Sequence, residues 1–164
     1  MAILPIRTLP DPILRRKAKR VSTIDKSVKK LIADMRETLH ADAGRVGLAA
    51  TQVGVPLRVT VICLPGEGEK DLVLVNPEIV RRKGQRLVSE GCLSIPGYIG
   101  ELIRAESVTA KGLNAAGRPI RIKAEELLSQ ALEHETDHLN GVLYIDRMEN
   151  PENLRKIEPQ ETEI

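Results

Sequence analysis

Apolar positions along this chain recur with two different periods, and the change of period divides it. Ile24, Val28, Leu31, Ile32, Met35 and Leu39 fall on one face at helical spacing. They predict a first helix to about His40, with Ser22 or Thr23 as its cap. Before it, Pro5, Pro10 and Pro12 alternate with Arg15, Arg16 and Lys17, which predicts an irregular arm lying on the domain. From Leu57 the pattern becomes strand-like: Leu57, Val59, Val61 and Cys63 alternate along a first strand, with Cys63 as a small buried hydrophobe. Gly66-Glu67-Gly68 marks a turn, and Leu72 to Val75 gives a second strand, ended by Asn76-Pro77. Ile79 to Arg82 and Gln85 to Val88 predict a hairpin around Lys83-Gly84. Residues 102 to 113 and 118 to 123 predict another, turned at Asn114-Ala115-Ala116-Gly117. Helical spacing then returns in Leu127, Leu128, Ala131, Leu132 and Leu139, with Gly141 as the stop. The expected class is α+β: antiparallel or mixed β-sheets packed around a central helix.

Composition narrows the function classes. The 164 residues suffice for one domain with a sizeable core, and no repeat or linker calls for a second. With two Tyr and neither Phe nor Trp, that core must be aliphatic. Twenty-five basic against 23 acidic residues leave a net charge of +2, which gives no footprint for nucleic acid. No apolar run approaches the roughly 18 residues a membrane span needs, and Met1-Ala2-Ile3-Leu4-Pro5 is unlike a secretory signal. Two cysteines, Cys63 and Cys92, suit a reducing compartment, so a cytoplasmic location is expected.

The last helix carries the chemistry. His134 and His138 are four residues apart, so on a helix of about 3.6 residues per turn they point the same way. Two imidazoles can hold one ion, and Glu135 stands where metalloproteases place the general base. The pair lies beside the apolar stripe, which predicts a metal at the edge of the core, half shielded from water. In Glu90-Gly91-Cys92-Leu93-Ser94-Ile95-Pro96-Gly97, flexible neighbours predict a loop presenting the Cys92 thiol rather than burying it. A thiolate with two helix histidines leaves a fourth position for water, the arrangement of a catalytic site. In the small-residue run Ala43 to Gly54, the Gln52 amide can donate to an oxyanion, or it is a surface glutamine in a turn.

Together these stretches resemble the peptide deformylases. That family's motifs are Gly-x-Gly-Leu-Ala-Ala-x-Gln, Glu-Gly-Cys-Leu-Ser and His-Glu-x-x-Asp-His. The second and third match completely at Glu90 to Ser94 and His134 to His138. Asn76-Pro77, Pro96-Gly97-Tyr98 and Gly141 to Arg147 are also similar, so the likeness covers roughly residues 3 to 150. It implies a catalytic domain over 1–150 followed by a short charged tail over 151–164, a frayed helix or disordered end. It implies a metal-dependent amide hydrolase acting on linear amides, which removes the formyl group from N-terminal formylmethionine and releases formate. Cys92, His134 and His138 would hold Fe2+, although Zn2+, Ni2+ or Co2+ suit the same donors. Glu135 would take a proton from the attacking water, and the Gln52 amide and Leu93 N–H would meet the oxyanion. Gly47 would form one wall of the substrate groove, with Val46, Ile95 and Leu132 around the methionine side chain. The partners implied are N-formylmethionyl nascent polypeptides, with the ribosome a candidate contact for the tail.

One position departs from the family pattern: Arg45 stands where the first motif opens with glycine. Either the backbone there is left-handed and an arginine strains it, or it is ordinary and the side chain faces solvent. Asp137 is expected to orient a ligand histidine or a neighbouring backbone group, or to make a surface ion pair, and Glu90 with Arg104 to fix the Cys92 loop or to pair at the surface. Two other classes use the same helix. A His-Glu-x-x-His peptidase would need a third ligand elsewhere. A non-catalytic metal-binding protein would need a closed set of four.

Overall fold

The computed structural model describes residues 2–66 and 70–157. Helix α1 (Lys26–His40) is capped by Asp25, whose carboxylate accepts from the Val28 N–H at 3.0 Å. The cap is therefore three or two residues later than Ser22 or Thr23, because only a side chain three positions before Val28 reaches that N–H. Val28, Leu31, Ile32, Met35 and Leu39 are buried, as their spacing requires.

Among the described residues, eight strands form two sheets in which every pair of named strands is antiparallel. The larger has the order β1 (Gly47–Ala49), β2 (Val59–Ile62), β3 (Leu72–Lys83), β6 (Ser107–Leu113), β7 (Pro119–Glu125). The smaller consists of β4 (Arg86–Cys92), β5 (Ile95–Arg104) and β8 (Arg155–Lys156). Asn76-Pro77 does not end a strand. Asn76 adopts φ +53° and the pairing with β6 slips between Val75 and Glu78, so β3 runs on through a bulge. The Asn76 side chain holds that bulge by bonding both the N–H (2.8 Å) and the carbonyl (2.9 Å) of Val21.

The hairpin expected around Lys83-Gly84 is absent. β3 pairs with β2 and β6, while β4 folds back on β5 through the tighter turn at Leu93-Ser94. The stretch 102–113 is likewise broken at Ala105-Glu106, where the chain passes from one sheet to the other. The β6–β7 hairpin is as predicted, its turn held by Asn114 Oδ1 accepting from Ala116 and Arg118. The tail is not a helix where it is described: a 3-10 turn (Pro151–Asn153) leads into β8, which pairs with Tyr98 and Ile99. Residues 158–164 of the expected tail, and 67–68 of the turn expected at Gly66-Glu67-Gly68, lie outside the described residues.

Helix α2 (Glu126–Leu139) is central in the literal sense: every residue from Ser129 to Leu139 is buried. It packs against β1, β2, β3, β6 and β7. Its final carbonyl, Leu139 O, accepts from Ala18 N–H (2.8 Å) and Arg58 (2.9 Å), so the N-terminal arm closes over the helix end. The same arm bonds Gln52 and Ser94 through the N–H groups of Arg7 (2.7 Å) and Leu9 (3.0 Å). Gly141 ends α2 at φ +75°, and a Cβ there would overlap the Arg15 carbonyl oxygen. Gly141→Ala should therefore cost about 1–3 kcal/mol of stability, read as a lowered urea midpoint at unchanged slope. An unchanged midpoint would mean that the arm is not held there.

Candidate metal and catalytic centre

The α-helical repeat sets His134 and His138 one turn apart, with their Nε2 atoms 3.2 Å from each other. Cys92 Sγ lies 3.2 Å from His138 Nε2, and the three donor atoms all fall within 4.8 Å of one another. All three residues are buried, so the expectation of a half-shielded metal and an outward thiol is corrected. The cause is local. The register of β4 against β5 slips between Gly91 and Cys92, and this irregularity turns the thiol towards α2.

Two elements frame that thiol. Ser94 N–H points to Cys92 Sγ at 3.4 Å. Gln52 sits in a 3-10 turn (Ala50–Val53), where its Oε1 accepts from Ala49 N–H at 2.9 Å. Its amide nitrogen is thereby turned towards Ser94 Oγ (3.2 Å) and Cys92 Sγ (3.8 Å). Gln52 is fully buried, not a surface residue, and Leu93 stands half-buried in the turn between Cys92 and Ser94. The structure thus gathers Cys92, Leu93, Gln52, His134, Glu135 and His138.

Behind the histidines runs a chain of charges, buried from Glu90 through Arg104 to Asp137 and reaching the surface at Arg147. Glu90 accepts from Arg104 in a two-bonded fork, Nε to Oε2 at 2.7 Å and Nη2 to Oε1 at 2.9 Å. Arg104 also donates to Asp137 (2.8 Å), which in turn accepts from Arg147 at 2.6 and 2.8 Å. Two carboxylates and two guanidiniums balance. Burial pushes the Glu90 carboxyl up, but the bonds from Arg104 and His134 outweigh it and hold the group at about 2. Glu90 is therefore an acceptor only, and the His134 Nδ1 that lies 2.6 Å from it must carry the proton. With Nδ1–H committed to Glu90, Nε2 is the nitrogen that faces Cys92 and His138, and its lone pair serves an ion once the ring is neutral. Among the described residues the Asp137 carboxylate bonds arginines rather than a histidine, and the pairing of Glu90 with Arg104 is an interior one.

The imidazoles respond differently. Burial opposes a proton on both; at His134 the Cys92 and Glu90 contacts outweigh it and raise the pKa, whereas at His138 burial and the neighbouring His134 lower it. A cation on the three donors competes with that proton. A thiol, two convergent imidazoles and buried surroundings fit a divalent ion of the iron-to-zinc series rather than Mg2+ or Ca2+.

Glu135 is the exception to the pairing. Both of its oxygens are buried and have no hydrogen-bond partner among the described residues, and burial raises its carboxyl to about 7. It faces Gly47, where an added Cβ would stand 2.5 Å from Oε2. Gly47 lies in β1, the edge of the larger sheet. The expected pocket residues are less unified. Val46 and Leu132 pack together in one core cluster, while Ile95 packs with Cys92 and Tyr144 in another. Arg45 has no left-handed backbone; Gly44 takes that role at φ +88°. Its side chain turns back to α1, donating to Thr38 O (2.6 Å) and pairing with Asp42 (2.9 Å) instead of facing a substrate.

Three contributors escaped the sequence reading. Ser94 and Arg147 lie inside quoted motifs without any pattern that announces their partners, and Tyr144 stacks on His134 at 6.4 Å between ring centres. Arg104→Gln, which strips charge from between Glu90 and Asp137, should cost about 3–5 kcal/mol in urea unfolding. It should also weaken metal binding about 10–100-fold. Stability and affinity within error of the parent would show that the chain of charges is dispensable.

Comparison with known proteins agrees with this geometry. A family model described as polypeptide deformylase matches residues 3–154. The chain is 55% identical over 161 residues to a peptide deformylase of Dehalococcoides mccartyi strain CBDB1, covering 98% of this chain and 95% of that one. It is 50% identical over 148 residues to one from Halothermothrix orenii, covering 90% and 95%. Among solved structures, a peptide deformylase from Legionella pneumophila superposes with a TM-score of 0.88 at 47% identity, over 93% of this chain and 89% of that one. One from Synechococcus elongatus, in complex with actinonin, gives 0.86 at 42%, over 93% and 82%.

Proposed function

The chain belongs to the peptide deformylase family, and from that premise we propose how its buried residues share the work. It is a hydrolase that removes the formyl group from the N-terminal methionine of newly synthesised polypeptides, in a family that depends on a metal. Cys92, His134 and His138 would hold the ion, which we assign as Fe2+, with Zn2+, Ni2+ and Co2+ compatible with the same donors. When bound, the ion supplies Lewis acidity and lowers the pKa of water.

Glu135 takes a proton from the water that attacks the formyl carbon. The C–N bond then breaks, and Glu135 returns the proton to the departing amine. Formate and a free N-terminus result. A carboxyl held near 7 suits both directions of transfer. The Gln52 amide and the Leu93 N–H donate to the oxyanion that forms on the formyl oxygen. The backbone at Gly47 pairs with the peptide as an added strand on the β1 edge, and Val46, Ile95 and Leu132 border the methionine side chain. We assign the catalytic domain to residues 1–150 and the charged tail to 151–164, place the protein in the cytoplasm, and name the ribosome as the tail's contact. No helix among the described residues is long and apolar enough to cross a membrane.

The observation that carries this reading is the Glu135 carboxylate, buried without a hydrogen-bond partner among the described residues, one position after the donor His134 and against the bare backbone of Gly47. Such a group is costly unless it acts. Anaerobic formate release from a formyl-Met tripeptide by the Fe2+-loaded protein tests it. Glu135→Gln should lose at least about 100-fold in kcat while keeping its metal. Gly47→Ala, which pushes the carboxylate aside, should lose about tenfold or more. A parental rate in Glu135→Gln would remove Glu135 from the mechanism.

A further inference from the structure

A second donor cluster lies away from this centre. His40 ends α1, Cys63 follows β2 and Asp71 precedes β3. The antiparallel register pairs Ile62 with Leu72, so the next residue outward on each strand is Cys63 on one and Asp71 on the other. Packing of α1 on β2 brings His40 to the same corner. His40 Nε2 is 2.7 Å from Asp71 Oδ1, and the thiol, imidazole and carboxylate donor atoms all lie within 4.8 Å of one another. We propose that His40, Cys63 and Asp71 form a second, peripheral site for a divalent ion of the Zn2+ type.

The parts are suited to it. Asp71 is held in place, its side chain 1% exposed and its Oδ2 bonded to Arg36 Nε at 2.7 Å, which leaves Oδ1 to the ion. His40 is 39% exposed, so solvent supplies both an entry path and the remaining coordination position. One thiolate and one carboxylate neutralise a dication, and sulfur with imidazole selects Zn2+, Co2+ or Ni2+ over Mg2+ and Ca2+. The ion replaces the direct His40–Asp71 bond and moves those two groups apart to either side of it. The site shares no residue with the Cys92 cluster. Its consequence for the fold is a tie between elements. Cys63 N–H donates to Val46 O at 2.8 Å, next to Gly47, so an ion on Cys63 joins the end of α1 to the strand that borders the active centre.

The test is metal stoichiometry on reduced, full-length protein, exposed to excess Zn2+ and desalted, beside Cys63→Ser and His40→Ala. The parent should retain two equivalents and each variant one, with the variants' formate release after Fe2+ loading unchanged. With Co2+ as probe, the thiolate charge-transfer absorption should fall by about half in Cys63→Ser, in step with the lost equivalent. One equivalent in the parent at saturation, or two in both variants, would overturn the proposal. His40 is exposed and Cys63→Ser is close to isosteric at a buried position, and unchanged circular dichroism would confirm that a lost equivalent reflects lost ligands.

Discussion

Burying charge is the constraint this molecule is built around. Arg104 is 1% exposed, and a lone guanidinium at such a depth would be costly by several kcal/mol. It is tolerable because Glu90 from β4 and Asp137 from α2 close on it from two sides, with Arg147 completing the balance. Those contacts join the smaller sheet to the central helix and to the turn beyond it. They also fix the charge state of Glu90, and through Glu90 the tautomer of His134. The direction in which His134 offers its lone pair is thus decided by an arginine 30 positions earlier in the chain.

Against that background Glu135 stands out by contrast. Its neighbours on α2 are satisfied: Glu133 by the Ala105 N–H and Arg82, Thr136 by the Leu132 carbonyl, Asp137 by its arginines. Glu135 alone among the helix's buried carboxylates has no hydrogen bond among the described residues, and it faces the glycine of the edge strand. The cost of that isolation is offset by the packing of the surrounding helix, and what it yields is a carboxyl able to gain and lose a proton near neutrality. The fold spends stability locally where the reaction needs a mobile proton.

How much of this was legible in the chain depended on the range of the interaction. The helix ligands could be read because about 3.6 residues per turn is a local rule. Cys92 could be read as a donor because of its chemistry, but its burial depends on a register slip between two strands, which no local pattern reveals. The hairpin assigned to Lys83-Gly84 failed for the same reason: two adjacent apolar stretches joined by glycine look alike whether they pair with each other or with strands elsewhere. Arg104 and Asp137 are 33 positions apart, and no local pattern joins them: the sequence pointed Arg104 to Glu90 alone and named no arginine for Asp137. Arg45 shows the opposite case. Its departure from the family glycine looked consequential, yet Gly44 absorbs the left-handed turn and the side chain is engaged by α1.

The most direct test of the account is a crystal structure of the Fe2+-loaded protein with an anomalous difference map at the iron edge. A peak bonded by Cys92 Sγ, His134 Nε2 and His138 Nε2, with Glu135 outside bonding distance and Glu90 still on His134 Nδ1, is the predicted result. Iron bound without the thiol, or through the Glu135 carboxylate, would contradict both the ligand set and the role given to that carboxylate.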